Sequence, residues 1–419
     1  MIRTQTDGWA LRHFFKMARA AKADALGAVA EEGLLTLVAI HRDAHFEPGA
    51  GVAFLRILDE GITAHPMQVL VSGLGGSAMP KRKKGGDREL VDIAVGTSRK
   101  QPSLRVGTAK WEGLDAAGLP EGRAMRAAPR TVARSDLRLG KDDLGRIAED
   151  VAAVAHDGSD YRWNLTCVHL ARGGATATDG HRLHHLRLAA LKGLDPSMVP
   201  APALLAVHAA LKDVRDGEVG AWVAAATEKD GWCGVEAEGG PGLAFEARDP
   251  DAFPDWRGTI MKPARGRRTW RMRVDAAKVR EAAGRKAMEE AEILLKRDGV
   301  EARVVLDSTP HGQPDVTETR PLGGSWDGPE LLPLSLRLRY LRDAVLGAAT
   351  DGTVAVEVHS NQDFVLVDEP PFLAIVMPAL AFDAGRRKWS VASVEGGVEV
   401  VRGQRRVFKA RPERRRPSP

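Results

Sequence analysis

The chain is poor in cysteine and tyrosine and has no long apolar run. Its two cysteines, Cys167 and Cys233, are too few for a disulfide framework or a cysteine-based zinc site. Free thiols and a cytoplasmic setting are therefore expected. No stretch approaches the roughly 20 apolar residues of a membrane helix, which excludes a helical membrane protein; no membrane partner is expected. The opening residues MIRTQTDGWALRHFFKMARAAK contain no apolar h-region and no small-residue cleavage site, so no secretory leader is expected. The glycine-rich SGLGGS (72–77) lacks the Lys-Ser/Thr of a phosphate loop and the spacing of a dinucleotide fingerprint. It reads as a glycine turn after a helix.

What is present is a globular composition over 419 residues, with 43% hydrophobic and 28% charged side chains. At roughly 100–200 residues per domain, that length suits two to four domains. The net charge of +5 is unevenly placed: residues 382–419 hold 11 Lys and Arg against 4 acids, so this tail is +7 and the body −2. A near-neutral body with a basic tail fits a polyanionic partner, and it equally fits a solvated, disordered end.

Periodicity divides residues 1–381 into three comparable α+β units of about 127 residues. Each opens with an amphipathic helix, continues into alternating strands and includes a second helix. In the first, residues 8–22 put Leu11, Phe15 and Ala18 on one stripe, with Arg12, Lys16 and Arg19 beside it. Strands are expected at 34–40, 90–95 and 103–111. In the second, 144–157 repeats Leu144, Ile147, Val151 and Val154 at helical spacing, and 203–214 is a helix entered through Pro200 and Pro202. In the third, helices are expected over 274–291 and 335–349, with strands at 354–358 and 364–367. Leu338, Leu341 and Val345 form the apolar stripe of 335–349, while Arg339 and Arg342 share another face. Joins near Pro129–Ser135 and Pro263–Arg268 give domains 1–132, 133–263 and 264–381. A basic C-terminal extension, 382–419, follows as a β-hairpin and a disordered end from Arg411. The basic loop 78–89 is expected to be a mobile insertion between a helix and a strand.

Nothing in the sequence asks for an active site. No serine elbow, kinase signature or paired-carboxylate motif is present. Cys167 sits in the apolar alternation NLTCVHLA (164–171), the setting of a buried structural thiol. His181, His184 and His185 in GHRLHH have no acidic or cysteine partner at ligand spacing, and adjacent strand histidines face opposite sides. No metal and no cofactor are expected.

Three segments carry more information. ATATDGHRLHHLRL (175–188) contains Asp179-Gly180, a turn dipeptide reversing an apolar strand. DPDAFPDWRGTIMKP (249–263) and AIVMPALA (374–381) follow. Together, in this order and spacing, they resemble the T-D-G-H-R-L, F-P-D-[YW]-R and V-M-P signatures of the bacterial DNA sliding clamp, the β subunit of DNA polymerase III. SDYRWNLTCVHL (159–170) and LRYLRDAVLGAATDGTVAVEVH (338–359) are similar to segments flanking them. The resemblance covers residues 135–381 well; the first third follows the architecture with little motif identity.

The resemblance implies an α+β chain of three clamp-type domains, each two helices packed on antiparallel sheets. Two chains would join head to tail into a six-domain ring around duplex DNA, held without base readout. It implies a shallow apolar groove for extended peptides, formed by Leu165, Thr178, Gly180, Leu183, Pro254, Val376, Met377 and Pro378, with His181 and Arg182 at its edge. Without the resemblance, these residues read as a tight turn and a packing element at a domain edge. The implied DNA-facing cations are Arg12, Lys16, Arg19, Arg146, Lys212, Lys278, Arg285, Arg339 and Arg342; each also reads as a solvated helix-face charge. The implied partners are a second copy, the polymerase III catalytic subunit, the clamp loader (where ATP would act) and other proteins bearing clamp-binding peptides. Two departures bear on the groove: Gly258 stands where a second basic residue is common, and the chain continues for 38 residues beyond Ala381. The alternatives are a clamp paralogue specialised for repair, mobile-element or phage replication or inhibitor resistance, and, in another class, a basic-tailed DNA-binding protein or an unrecognised nucleic-acid enzyme.

Overall fold

The computed structural model describes residues 2–21, 23–31, 33–40, 51–58, 67–72, 90–98, 101–115, 125, 138–155, 163–171, 173–212, 221–224, 232–237, 240–246, 249–262, 269–283, 291–296, 299–306, 316–329, 334–359, 363–378, 389–394, 397–402 and 405–406. The chain divides into two compact units, Met1–Ala264 and Arg265–Pro419.

In the first unit, helix α1 (Gly8–Ala20) starts where the Asp7 carboxylate accepts a hydrogen bond from the Trp9 amide at 2.7 Å. Leu11, Phe14, Phe15 and Ala18 are buried beneath it, while Lys16 and Arg19 stay exposed on the opposite stripe. Helix α2 (Lys141–Arg146) runs into a π turn (Ile147–Val151) and a 3-10 turn (Ala152–Val154), and the stripe Leu144, Ile147, Val151, Val154 is buried as expected. Helix α3 (Ala201–Leu211) packs beside α1.

One nine-stranded antiparallel sheet runs through this unit, in the order 138–139, 221–224, 232–237, 241–246, 52–58, 34–40, 25–31, 67–72 and 114–115. It is continuous because Pro241–Glu246 pairs with Val52–Leu58, placing Gly242 opposite Phe54. A β-carbon on Gly242 would stand 2.4 Å from the Phe54 ring, and one on Gly51 would stand 2.4 Å from Phe245. Each phenylalanine thus fills the space that a glycine on the other segment leaves open, fixing register as well as packing. Arg56 on one strand also donates to Glu236 two strands away. Two further sheets belong to this unit: 2–7, 90–98, 101–106, 109–112, and 197–200, 167–171, 174–178, 182–187.

In the second unit, helices α4 (Ala276–Ala283) and α5 (Leu338–Ala348) pack together, and α5 rests on strand Phe372–Val376. Its strands form the runs 372–376, 365–369, 353–358, 270–275, 325–326 and 316–323, 299–306, 291–296, 334–336. A separate three-stranded sheet, Trp389–Val394, Gly397–Arg402 and Arg405–Arg406, includes the hairpin expected in the C-terminal extension.

Several boundaries differ from those read in the sequence. The run 103–111 is a hairpin turning at Gly107, whose φ of +58° is a left-handed conformation that glycine adopts at low cost. The helix expected at 274–291 is described only to Ala283, and Ala291 begins a strand. The stretch before residue 73 is the strand Met67–Ser72 rather than a helix. Among the described residues, no second multi-residue helix appears in the first third. The loop 78–89, both predicted joins and the end from Arg411 lie outside the described residues. No helix among the described residues is long and apolar enough to cross a membrane.

Gly242→Ala is expected to lower unfolding stability by about 1–3 kcal/mol through overpacking against Phe54, read as a reduced urea midpoint. An unchanged midpoint would contradict the glycine–phenylalanine pairing.

Candidate functional site

The hairpin Gly174–Thr178 and Arg182–Arg187 is closed by side chains of its own turn. The Asp179 carboxylate accepts from the amides of His181 and Arg182, both at 2.9 Å, and from the Arg182 guanidinium at 3.1 Å. Thr178 donates its hydroxyl to the Arg182 carbonyl at 2.6 Å and accepts from the Gly180 amide at 3.0 Å. Gly180 sits at φ +87°. The motif Thr-Asp-Gly-His-Arg therefore specifies a rigid loop.

That chemistry engages residues expected at the groove. Arg182 is only 8% exposed and bonded to Asp179, which makes it part of the turn. Leu165, Thr178 and Leu183 are buried, because the Thr178 hydroxyl is turned into the loop and Leu183 is its cross-strand partner. Val376 is buried in the second unit, within strand Phe372–Val376. What reaches solvent is Gly180, His181 and Pro254 in the first unit, and Met377, 38% exposed, with half-buried Pro378 in the second.

The segment carrying Pro254 is anchored on both sides. Asn164 donates to the Ala252 carbonyl at 2.9 Å, and Phe253 stacks on His169 at 5.0 Å. Beyond Pro254, Asp255 accepts from the Gly258 amide at 3.0 Å, and its carbonyl accepts from the Thr259 hydroxyl. A β-carbon at Gly258 would lie 2.2 Å from the Asp255 carboxylate. The absence of a second basic residue there thus belongs to a tight local turn. Arg257 lies over Trp256 at 4.3 Å and donates to His185 at 3.2 Å.

The two adjacent histidines do face opposite sides: His184 Nδ1 bonds the Asp150 carbonyl at 2.6 Å, and His185 Nδ1 bonds Thr176 at 2.9 Å. Burial first, then the nearby Arg257 and Arg187 charges, lowers the His185 pKa to about 4. His185 and Arg257 were not among the site residues read from the sequence; the unusual His-His pair on an apolar strand was the available signal. Cys167 and Cys233 are both buried and not joined in a disulfide, and the Cys233 thiol donates to the Met198 carbonyl at 2.9 Å. Among the described residues, no group of three metal-capable side chains gathers.

The helix cations divide into two sets. Arg12, Lys16 and Arg19 lie within about 60° of one another around α1, at 100° per residue. Lys16, Arg19, Lys278 and Arg339 are exposed, and Arg12 is half-buried. By contrast, Arg146 pairs with Asp150 at 3.6 Å, Lys212 with Glu149 at 3.0 Å, and Arg342 with Asp343 at 2.7 Å. Hydrogen bonds from Lys212 and His208 hold the Glu149 carboxyl below its usual range. Arg285 lies outside the described residues.

Known structures place this arrangement. The Pseudomonas aeruginosa DNA polymerase III β subunit matches with a TM-score of 0.64 at 19% identity, over 90% of this chain and 99% of that one. The fold is that of the bacterial sliding clamp. Caulobacter crescentus pol III β gives a TM-score of 0.64 at 15% identity, over 90% and 99%. The Bacillus subtilis DNA polymerase sliding clamp gives 0.63 at 16%, over 91% and 99%. No protein-family profile and no curated protein matches the sequence. The clamp fold is thus kept while most residues differ.

A histidine whose folded pKa lies below its unfolded value near 6.5 binds fewer protons in the native state. Its neutral form is fully accommodated above pH 6.5, and stability is lost as pH falls from there toward about 4. His185→Gln is therefore expected to flatten the fall in Tm across that window, by an amount equivalent to about 3 kcal/mol at most. Parallel Tm–pH curves for the two proteins would contradict the assignment.

Proposed function

We propose that this chain is a DNA sliding clamp, a processivity factor that encircles duplex DNA and tethers a replicative polymerase. The observation that carries the reading is the clamp fold over 90% of the chain together with three clamp-like motifs in clamp order. In this reading, residues 1–132, 133–263 and 264–381 are the three clamp domains and 382–419 is an added basic extension. Two chains close head to tail into a ring. The partners are duplex DNA of any sequence, the polymerase III catalytic subunit, the clamp loader and other proteins with clamp-binding peptides. The protein is not an enzyme, takes no cofactor and works in the cytoplasm at the nucleoid.

The helix cations support a diffuse hold on phosphates. Arg12, Lys16, Arg19, Lys278 and Arg339 are the strongest DNA-facing residues, whereas Arg146, Lys212 and Arg342 are partly neutralised by Asp150, Glu149 and Asp343. Phosphate contact without base readout leaves a ring free to move, because no sequence is energetically preferred.

Peptide binding rests on Pro254 and His181 in the first unit and Met377 in the second, with Leu165, Thr178, Leu183 and Val376 as buried support. Methionine adapts to several apolar anchors. A P. aeruginosa sliding clamp is known bound to griselimycin, which supplies a probe. A second reading, a clamp paralogue with a specialised partner set, is favoured by the Asp255–Gly258 turn and the basic extension.

At micromolar concentration the protein is expected to behave as a particle of about twice 45.1 kDa. Once loaded on nicked circular DNA by its loader and ATP, it should survive salt that strips ordinary ionic contacts and leave when the circle is cut. Retention indifferent to circularity would favour an open-DNA-binding protein or a nucleic-acid enzyme. Met377→Asp is expected to weaken griselimycin binding about tenfold or more, measured by calorimetry; unchanged binding would remove Met377 from the surface.

A further inference from the structure

We propose that His185 is a positioning residue for the ligand surface: as a neutral acceptor for Arg257, it latches the Pro254 segment to the turn hairpin. The inference rests on the peptide-binding reading above and adds a residue that the reading does not contain.

Arginine has donors only, so the 3.2 Å contact from Arg257 requires a lone pair on His185 Nε2. The ring proton then sits on Nδ1 and is donated to the Thr176 hydroxyl at 2.9 Å. One imidazole thus joins strand Gly174–Thr178, strand Arg182–Arg187 and the segment after Phe253. Space for the ring is set by Gly174, where a β-carbon would stand 2.3 Å from the imidazole. Trp256 lies against the same ring at 5.3 Å, and Arg257 covers the Trp256 face at 4.3 Å. Imidazole and indole are buried against each other, with the exposed Arg257 covering the indole face and Pro254 and Asp255 exposed beside them.

On the other side, Phe253 stacks on His169. Pro254 is therefore held between two ring contacts, Phe253 on His169 of strand Cys167–Ala171 and Trp256 on His185 of strand Arg182–Arg187, whose turn carries His181. A ligand meeting Pro254 and His181 finds both already placed, so little ordering cost is left to binding. Without the His185–Arg257 bond, the segment loses its one side-chain hydrogen bond to strand Arg182–Arg187 and keeps the Trp256 and Phe253 ring contacts.

The test compares His185→Leu, which fills the site without an acceptor, with His185→Gln, whose amide oxygen can accept from Arg257. Arg257→Lys is the second break; it keeps the charge, loses the planar stack and leaves the hairpin intact. Hydrogen exchange of the unliganded proteins reads the latch directly. The amides of Phe253 and of Asp255 to Gly258 should exchange at least about fivefold faster in His185→Leu and Arg257→Lys than in wild type, with wild-type rates in His185→Gln. Calorimetry with griselimycin reads the consequence: about fivefold weaker binding in the two broken variants and recovery in His185→Gln. Wild-type exchange in both broken variants would overturn the latch. Faster exchange with unchanged affinity would overturn its role in positioning. Failure of wild type itself to bind griselimycin, with exchange behaving as expected, would instead count against the ligand-surface reading and remove the role assigned to His185 there.

Discussion

The pairing of Pro241–Glu246 with Val52–Leu58 is the contact on which the first unit depends. It turns strands from the first and second thirds of the sequence into one sheet. An unpaired edge leaves a row of backbone donors and acceptors unsatisfied, and here each segment meets that demand for the other. Reciprocal Gly–Phe neighbours at 242 with 54 and at 51 with 245 give the junction a single register. A one-residue slip would drive both rings into backbone and turn every buried side chain to the wrong face.

The regular elements were legible where one periodicity dominated. Residues 34–40 are a strand over the predicted span, and the buried stripe of α1 contains Leu11, Phe15 and Ala18 as read. Boundaries failed where a local feature outweighed the pattern: Gly107 breaks an apolar run into a hairpin, and Leu334–Leu336 begins the predicted 335–349 helix as strand. The motifs located the turn hairpin and the Phe253–Arg257 segment, but not which side chains those structures would consume. The resemblance put Arg182 at the groove edge; its bonds to Asp179 are visible only once the turn is folded. His185 was hidden for a different reason. Its partner Arg257 lies 72 residues away, and no local pattern joins them.

Charge placement gives the account its physical content. A protein that grips DNA benefits from strong, fixed contacts, whereas one that travels along it benefits from a shallow field. In the first unit α1 offers exposed Lys16 and Arg19 while Arg146 of α2 is paired with Asp150, and in the second unit Arg342 of α5 is paired with Asp343. Surface pairs of this kind add little to stability; under the proposed function their main consequence would be to temper the field presented to phosphates.

The central claim is closure: two copies joined end to end around an opening, so that linkage and not affinity retains them. Electron-microscopic class averages of the purified protein test it most directly. A ring with an open centre wide enough for duplex DNA is expected. Solid particles without a central opening, at concentrations where dimers prevail, would contradict it.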